Sequence, residues 1–337
     1  MRFIAYITKG LEDIAENELY RIIEDIEIVE KGIKYIIFDT QSNFEKLVRL
    51  KTIDDIGIFI SFVNLKDLVK EIEAIDFSLF QKQLLQFREF EKDIFSLTIS
   101  RLENNVNTNL IKSRIVEILQ KKYDWKYMEN VHSNFDIRIN IVKNQVYLSV
   151  RLTRISLYMR PYKVYNSIGS LKPTIAAAMV QLATNNNKSG LKIIDDFCGS
   201  GTILCESILA GNDIYGGDID SKCIMGTTNN LQNLSYKIEG HIRQLNAINT
   251  HWDNNYFDCA ISNLPWDKQI EVESITNLYA GTLREYARII KKDGVVCLLV
   301  SKPDLLIKYV KKYFPNHIIN SYKIGLLGQT PTIVFIQ

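Results

Sequence analysis

The sequence predicts an α/β protein: a front half of mixed α+β units, then a back half built on a parallel sheet with helices on its faces. Three observations predict it. The first 60 residues run strand, helix, strand, strand, helix, strand. From about residue 170, short apolar strands alternate with helices. A Gly-x-Gly loop, Gly199-Ser200-Gly201, sits between one of those strands and the next helix.

Taken in order, residues 3–7 alternate and break at Gly10, which reads as a strand. Leu11, Ile14, Ala15, Leu19, Ile22 and Ile23 recur at helical spacing. Residues 26–30 and 34–38 flank Lys31-Gly32, a hairpin signal. Phe44, Leu47, Val48 and Leu50 suggest a second helix, and residues 56–63 a strand rich in Ile, Phe and Val. This is the order of a small ferredoxin-like unit. Residues 64–94 are charged and lack Gly and Pro, so they read as helical. Residues 95–99 alternate, Ile111, Ile115, Ile118 and Leu119 mark a helix face, and residues 137–152 form a hairpin about Lys143-Asn144.

In the back half, the strands are 191–194, 213–218, 241–245, 257–262 and 295–300. The helices between and after them are 202–210, 221–234, 275–290 (ended near Gly294) and 305–313. A last strand pair, 318–324 and 332–336, closes the chain.

A chain of 337 residues holds two or three domains. At 46% hydrophobic and 24% charged it has the composition of a chain with a core, which excludes disorder. No apolar run reaches the roughly 18 residues a membrane span needs, and the N-terminal apolar stretch is too short for a signal peptide. The five cysteines form no CxxC pair, so neither a disulfide framework nor a zinc site is expected, and a reducing, cytoplasmic setting is.

The net charge of +2 hides a gradient. Residues 1–100 carry 13 Lys and Arg against 19 Asp and Glu, whereas residues 101–164 carry 12 against 5. A basic middle block points to a polyanion. Arg151, Arg154, Arg160 and Lys163 lie in it, with Tyr158, Tyr162 and Tyr165 between them. Such a mixture can hold phosphates and stack on bases; the plainer reading is tyrosines capping a sheet and arginines facing water.

Three motifs carry the chemistry. Asp195-Asp196-Phe197-Cys198-Gly199-Ser200-Gly201-Thr202 joins a strand to a helix; its glycines allow positive φ and a close ligand, and the helix start offers free N–H groups. No third glycine or Gly-Lys-Ser/Thr follows, so it is neither a dinucleotide fingerprint nor a P-loop. Asp218 ends the next strand, where an acid can accept both hydroxyls of a ribose; Asp220 either shares that task or caps a helix. Asn263-Leu264-Pro265-Trp266 follows the fourth strand. An exocyclic amine is a poor nucleophile because its lone pair is delocalised into the ring. An Asn oxygen and a backbone carbonyl can take its two N–H bonds and aim it, Pro265 fixes the aim, and Trp266 can stack on the base.

With these motifs the sequence resembles THUMP-domain RNA methyltransferases that act on guanine N2. Residues 195–202, followed by Glu206, look like their Asp-Pro-x-Cys-Gly-Ser-Gly-Thr signature, and residues 263–266 like their Asn/Asp-x-Pro-aromatic motif, shared with adenine-N6 enzymes. Arg160-Pro161-Tyr162 and residues 169–178 resemble the linker before their catalytic domain.

The resemblance implies a Rossmann-like class I methyltransferase sheet with an N-terminal ferredoxin-like plus THUMP α+β module. Residues 1–65 would be ferredoxin-like, 66–155 THUMP, 156–180 linker and 181–337 methyltransferase. The implied cofactor is S-adenosylmethionine, held by Asp195, Phe197, Cys198, Gly199, Gly201, Thr202, Asp218, Ile219, Asn246, Ala247 and Asn263. Asn263, Pro265 and Trp266 would be the catalytic residues. Arg151, Arg154, Arg160, Tyr162 and Lys163 would bind RNA.

The implied substrate is a transfer RNA guanosine, with ribosomal RNA or adenine N6 as alternatives, and a monomer needing neither metal nor membrane is expected. Three departures stand out: Asp196 for the family's proline, Asn246 for an acid, and Asp267 where glycine is common. They leave open a non-catalytic RNA-binding protein that keeps the fold.

Overall fold

The structure is a computed structural model that describes residues 1–102, 106–129, 134–185, 189–236, 241–266, 275–326 and 328–337. The chain divides into two compact units. One is Met1–Ile7 with Leu19–Leu157, and the other is Thr8–Glu18 with Tyr158–Gln337.

In the first unit, alternating apolar residues build β1 (Arg2–Ile7), β2 (Glu27–Gly32), β3 (Tyr35–Asp39) and β4 (Ile53–Asn64), with α2 (Phe44–Val48) between the last two. Helix α1 (Glu12–Ile22) begins within Thr8–Glu18 and runs into this unit. Then follow α3 (Leu68–Ala74), α4 (Phe77–Leu84), β5 (Ile94–Leu102), α5 (Thr108–Tyr123), β6 (Lys126–Tyr127), β7 (Phe135–Val142) and β8 (Gln145–Arg151). The strands form one sheet in the order β2-β3-β1-β4-β8-β7-β5-β6. β1 is antiparallel to both β3 and β4, and β4 pairs with β8, so the sheet continues past residue 65 without a break. Asn107 starts α5 by accepting from the N–H groups of Asn109 and Leu110.

The β7–β8 turn falls at Lys143-Asn144, with Lys143 at φ 55°. The β2–β3 turn does not fall at Lys31-Gly32. Gly32 pairs with Tyr35, and the turn is Ile33-Lys34, with Lys34 at φ 72°. A Cβ on Gly32 would stand 2.3 Å from the Tyr35 ring. The glycine makes room for an aromatic ring and leaves the bend to its neighbours.

The second unit contains α6 (Pro173–Ala183), β9 (Lys192–Asp195), α7 (Thr202–Leu209), β10 (Asp213–Asp218), α8 (Ser221–Gln232), β11 (Ile242–Gln244), β12 (Phe257–Asn263), α9 (Ile275–Ile289), β13 (Ile290–Val300), α10 (Pro303–Tyr313), β14 (Ile319–Lys323) and β15 (Thr332–Ile336). The strand order is β11-β10-β9-β12-β13-β15-β14. Five strands are parallel and β15 is antiparallel to both neighbours. Tyr279, Leu283, Tyr286 and Ile289 of α9 and Leu306 and Val310 of α10 pack on Leu298, Val300 and Val334 of the sheet.

α6 was not foreseen as a helix. It is buried nearly all round, from Pro173 to Gln181, and periodicity gives no signal when every face is apolar. β13 starts at Ile290, five residues earlier than expected. Phe257 pairs with Ile290 and Cys259 with Val295, so residues 291–294 form an irregularity in the ladder. A Cβ on Gly294 would stand 2.8 Å from Asp258 O, so this glycine serves the bulge and does not end the helix.

Candidate functional site

In a parallel sheet, ligands bind beyond the carboxyl ends of the strands where the strand order reverses. Here the reversal lies between β9 and β12, the first and fourth strands of the unit. Three of the side chains singled out by sequence stand at that edge: Asp195 ends β9, Asp218 ends β10 and Asn263 ends β12.

The loop after β9 is bound to both neighbours. Gly199 N donates to Asp218 Oδ2 at 2.9 Å and Asp220 N to Asp218 Oδ1 at 3.0 Å. Burial raises the Asp218 carboxyl above its ordinary range, while these backbone bonds oppose that. Each oxygen keeps acceptor capacity for a ligand hydroxyl. Asp220 itself caps α8 by accepting from Lys222 N at 2.8 Å.

Gly199 and Gly201 have φ of 54° and 71°. A Cβ on Gly201 would stand 2.8 Å from Thr227 Cγ2, so no larger residue fits. Thr227 Oγ1 also donates to Gly199 O at 2.9 Å. Thr202 opens α7, with its hydroxyl 3.2 Å from Ser200 Oγ.

Asp195 is fully enclosed. Its Oδ1 accepts from Phe197 N at 3.1 Å and Ser262 Oγ at 2.7 Å. Burial pushes its carboxyl up to about 7 against those two bonds. Ser262 is also 3.0 Å from Tyr286 OH. The Cys198 thiol is buried beside Thr227, and that burial holds it protonated.

Asp196 turns away from this row. Its Oδ1 accepts from Trp252 Nε1 at 3.2 Å, and Oδ2 is buried without a partner among the described residues. Burial pushes it up to about 8, so it is mostly neutral at pH 7. The substitution for proline therefore adds a core carboxyl.

Asn263 Nδ2 reaches Gly169 O at 3.5 Å, and its Oδ1 is buried and unpartnered among the described residues. Gly169 belongs to a strap over the strand ends. In it Val164 N and Tyr165 N donate to Asn230 Oδ1 on α8, and Ser170 Oγ lies 2.6 Å from Ser200 Oγ. Gly226 of α8 makes room for the Tyr165 ring, which a Cβ there would meet at 2.0 Å.

Ser262, Thr227 and Asn230 were not singled out by the sequence. They are small polar residues without a spacing signature, and only their neighbours on other elements give them a role.

Two expectations need correction, and three further residues take their places as the structure sets them. Trp266 is buried at 3% exposure, with its indole N–H unpartnered among the described residues, so it offers no open face to a base. Asn246 is exposed, and its Oδ1 accepts from Ile248 N at 3.2 Å in a local turn. Ala247 beside it is buried and Ile219 is 70% exposed.

The second correction is the basic surface. In the first unit, Arg151 is buried. Its Nη2 lies 2.9 Å from Asp55 Oδ2 and its Nε 3.5 Å from Asp136 Oδ2, with Ser156 and Arg138 on the same Asp55. In the second unit, Arg160 Nε and Tyr162 OH both donate to the buried Glu206, at 2.9 and 2.8 Å. Lys163 Nζ donates to Leu171 O at 2.6 Å, and burial lowers it to about 8. Arg151, Arg160, Tyr162 and Lys163 thus hold the fold, because a buried charge needs a partner. Arg154 alone of the five is exposed. Asp267 lies outside the described residues.

Comparison with known proteins bears on this site. The family described as UPF0020, RMKL-like, methyltransferase domain, matches residues 160–318. A tRNA (guanine(10)-N2)-dimethyltransferase of Methanocaldococcus jannaschii is 30% identical over 253 residues, 68% of this chain and 70% of that protein. A protein of the same name from Methanothermobacter thermautotrophicus is 29% identical over 62% of this chain, which spans only 60% of that relative's length. The crystal structure of TrmN from Thermus thermophilus superposes with a TM-score of 0.78 at 22% identity, covering 100% of this chain and 99% of that one. That likeness shows a shared fold, the class I methyltransferase sheet in the second unit.

Proposed function

Because the chain belongs to the RMKL-like methyltransferase family, we propose that it transfers a methyl group from S-adenosylmethionine to the exocyclic N2 amine of a guanosine in RNA, with transfer RNA as substrate. The observation that carries this is the shared strand edge. Asp195 and Asp218 end the strands on one side of the switch point, and Asn263 holds an amide oxygen on the other that is buried and unpartnered among the described residues.

The residues suit the cofactor. Gly199 and Gly201 keep the loop tight against β10, Asp218 is aimed by two backbone N–H groups, and Asp195 supplies a second acid for a cationic group. Bound there, S-adenosylmethionine supplies a methyl on a sulfonium. The chain supplies position. Asn263 Oδ1 accepts one N–H of the guanine amine, and the carbonyl of Leu264, fixed by Pro265, accepts the other. The nitrogen lone pair is thereby aimed in line, and charge growing on the amine meets two oxygen acceptors. Asp196, paired with Trp252, stands clear of this chemistry, which counts against the non-catalytic alternative.

For the first unit we infer a ferredoxin-like domain (1–65) and a THUMP RNA-binding domain (66–155), joined through residues 156–180 to the methyltransferase domain (181–337). The strand order β2-β3-β1-β4 supports the first of these.

The test is incubation with unfractionated transfer RNA and ribosomal RNA and labelled cofactor, followed by nucleoside mass analysis. N2-methylguanosine in transfer RNA is expected. Label in ribosomal RNA only would move the substrate, and N6-methyladenosine or no label would refute the reaction.

A further inference from the structure

A buried hydroxyl that bonds nothing costs stability, so a chain that keeps one has a use for it. Ser301 is such a residue. It follows β13 directly, and its Oγ is buried with no hydrogen-bond partner among the described residues. It precedes α10, whose N-cap is Lys302 and which has no side-chain cap, so the hydroxyl is not spent on starting that helix.

Register gives its place. Asn263 pairs with Leu299, and Leu264 N donates to Leu299 O at 3.0 Å. Ser301 and Pro265 each lie two residues past that pair, just beyond the ends of β13 and β12. Ser301 thus leaves the sheet at the same edge as Asn263, on the neighbouring strand. Leu298 and Val300 belong to the core under α9 and α10.

Asn263 Oδ1 and Trp266 Nε1 are likewise buried and unpartnered among the described residues at this strand edge. The ends of β12 and β13 therefore carry an acceptor, a donor and a hydroxyl that can act as either. A guanine offers a complementary set on its N2 side: the amine, the N1–H donor and the N3 acceptor.

We propose that Ser301 is a further base-contacting residue of the methyl-transfer site, its hydroxyl bonded to a ring nitrogen beside the N2 amine that Asn263 holds. This rests on the function proposed above. The hydroxyl orients the ring in its plane, which the amine's own bonds leave free to pivot.

Ser301→Ala separates this role from a structural one, since in the ligand-free protein it removes a buried polar atom and breaks no bond among the described residues. The measurements are thermal unfolding without ligand, calorimetry with S-adenosylmethionine, and single-turnover transfer to unfractionated transfer RNA. The expected result is a Tm equal to or above wild type, a cofactor Kd within about twofold, and transfer slower by about tenfold, or ~1.4 kcal/mol. Transfer at the wild-type rate would overturn the contact. Slower transfer with a lowered Tm or weakened cofactor binding would make Ser301 part of the scaffold and also overturn it. A wild-type chain that forms no N2-methylguanosine would instead overturn the function beneath it, and the contact with it.

Discussion

Ser262 Oγ donates to Asp195 Oδ1 over 2.7 Å, and so ties the residue just before Asn263 to the acid that ends β9. The bond crosses from one neighbouring strand to the other at the switch point. It joins the side of the site suited to a cofactor to the side suited to a base.

The buried acid in that bond should make cofactor binding depend on pH. Asp195 has a folded value of about 7, raised by burial and held down by Ser262 and Phe197. Only its ionised form attracts a cationic ligand, so affinity for S-adenosylmethionine should climb as pH rises to about 7 and level off above it. Ser262→Ala removes a bond to the ionised form and should move the midpoint upward. Calorimetry between pH 6 and 9 measures both, and a Kd flat across that range would contradict the role of Asp195.

Asp196 should govern stability in the opposite sense. Its folded value of about 8 lies above its unfolded value near 3.8. Its contribution is complete below the unfolded value and is lost as pH climbs through about 8. Asp196→Asn keeps an acceptor for Trp252 and should flatten that decline. Denaturant unfolding at pH 5, 7 and 9 is the check.

Asp218→Ala should weaken the cofactor by about 1–3 kcal/mol, the scale of a lost charge-assisted bond, and should loosen the Gly199 turn it accepts from. An unchanged dissociation constant would remove the ribose from Asp218.

The arginines should divide by burial. Arg160→Ala takes the cationic partner from the buried Glu206 Oε1 and leaves it the Tyr162 hydroxyl, and should cost about 3–5 kcal/mol of stability. Arg154→Ala should leave stability alone and lower the slope of log affinity against log salt for RNA by about 1. Equal Tm values for the two variants would refute the division.

The back half of the fold was legible because its strands are short apolar runs bounded by Gly, Asp and Asn, and because the motifs at Asp195, Asp218 and Asn263 fall where those strands end. The basic block misled because the partners of its charges are remote in sequence. Arg151 meets Asp55 across 96 positions, and Arg160 meets Glu206 across 46. A tally of local charge cannot show that pairing. Likewise Gly32 and Gly294 read as breaks, but they serve a ring and a bulge supplied by other segments.

The central claim is that one cleft serves both a cofactor gripped at Asp218 and a base amine presented by Asn263. Asn263→Ala tests it most directly, with single-turnover transfer and cofactor affinity measured on the same preparation. The account predicts transfer reduced at least about a hundredfold, ~2.7 kcal/mol, with a cofactor Kd within about twofold of wild type. A variant that still transfers within a few-fold of the wild-type rate would contradict it.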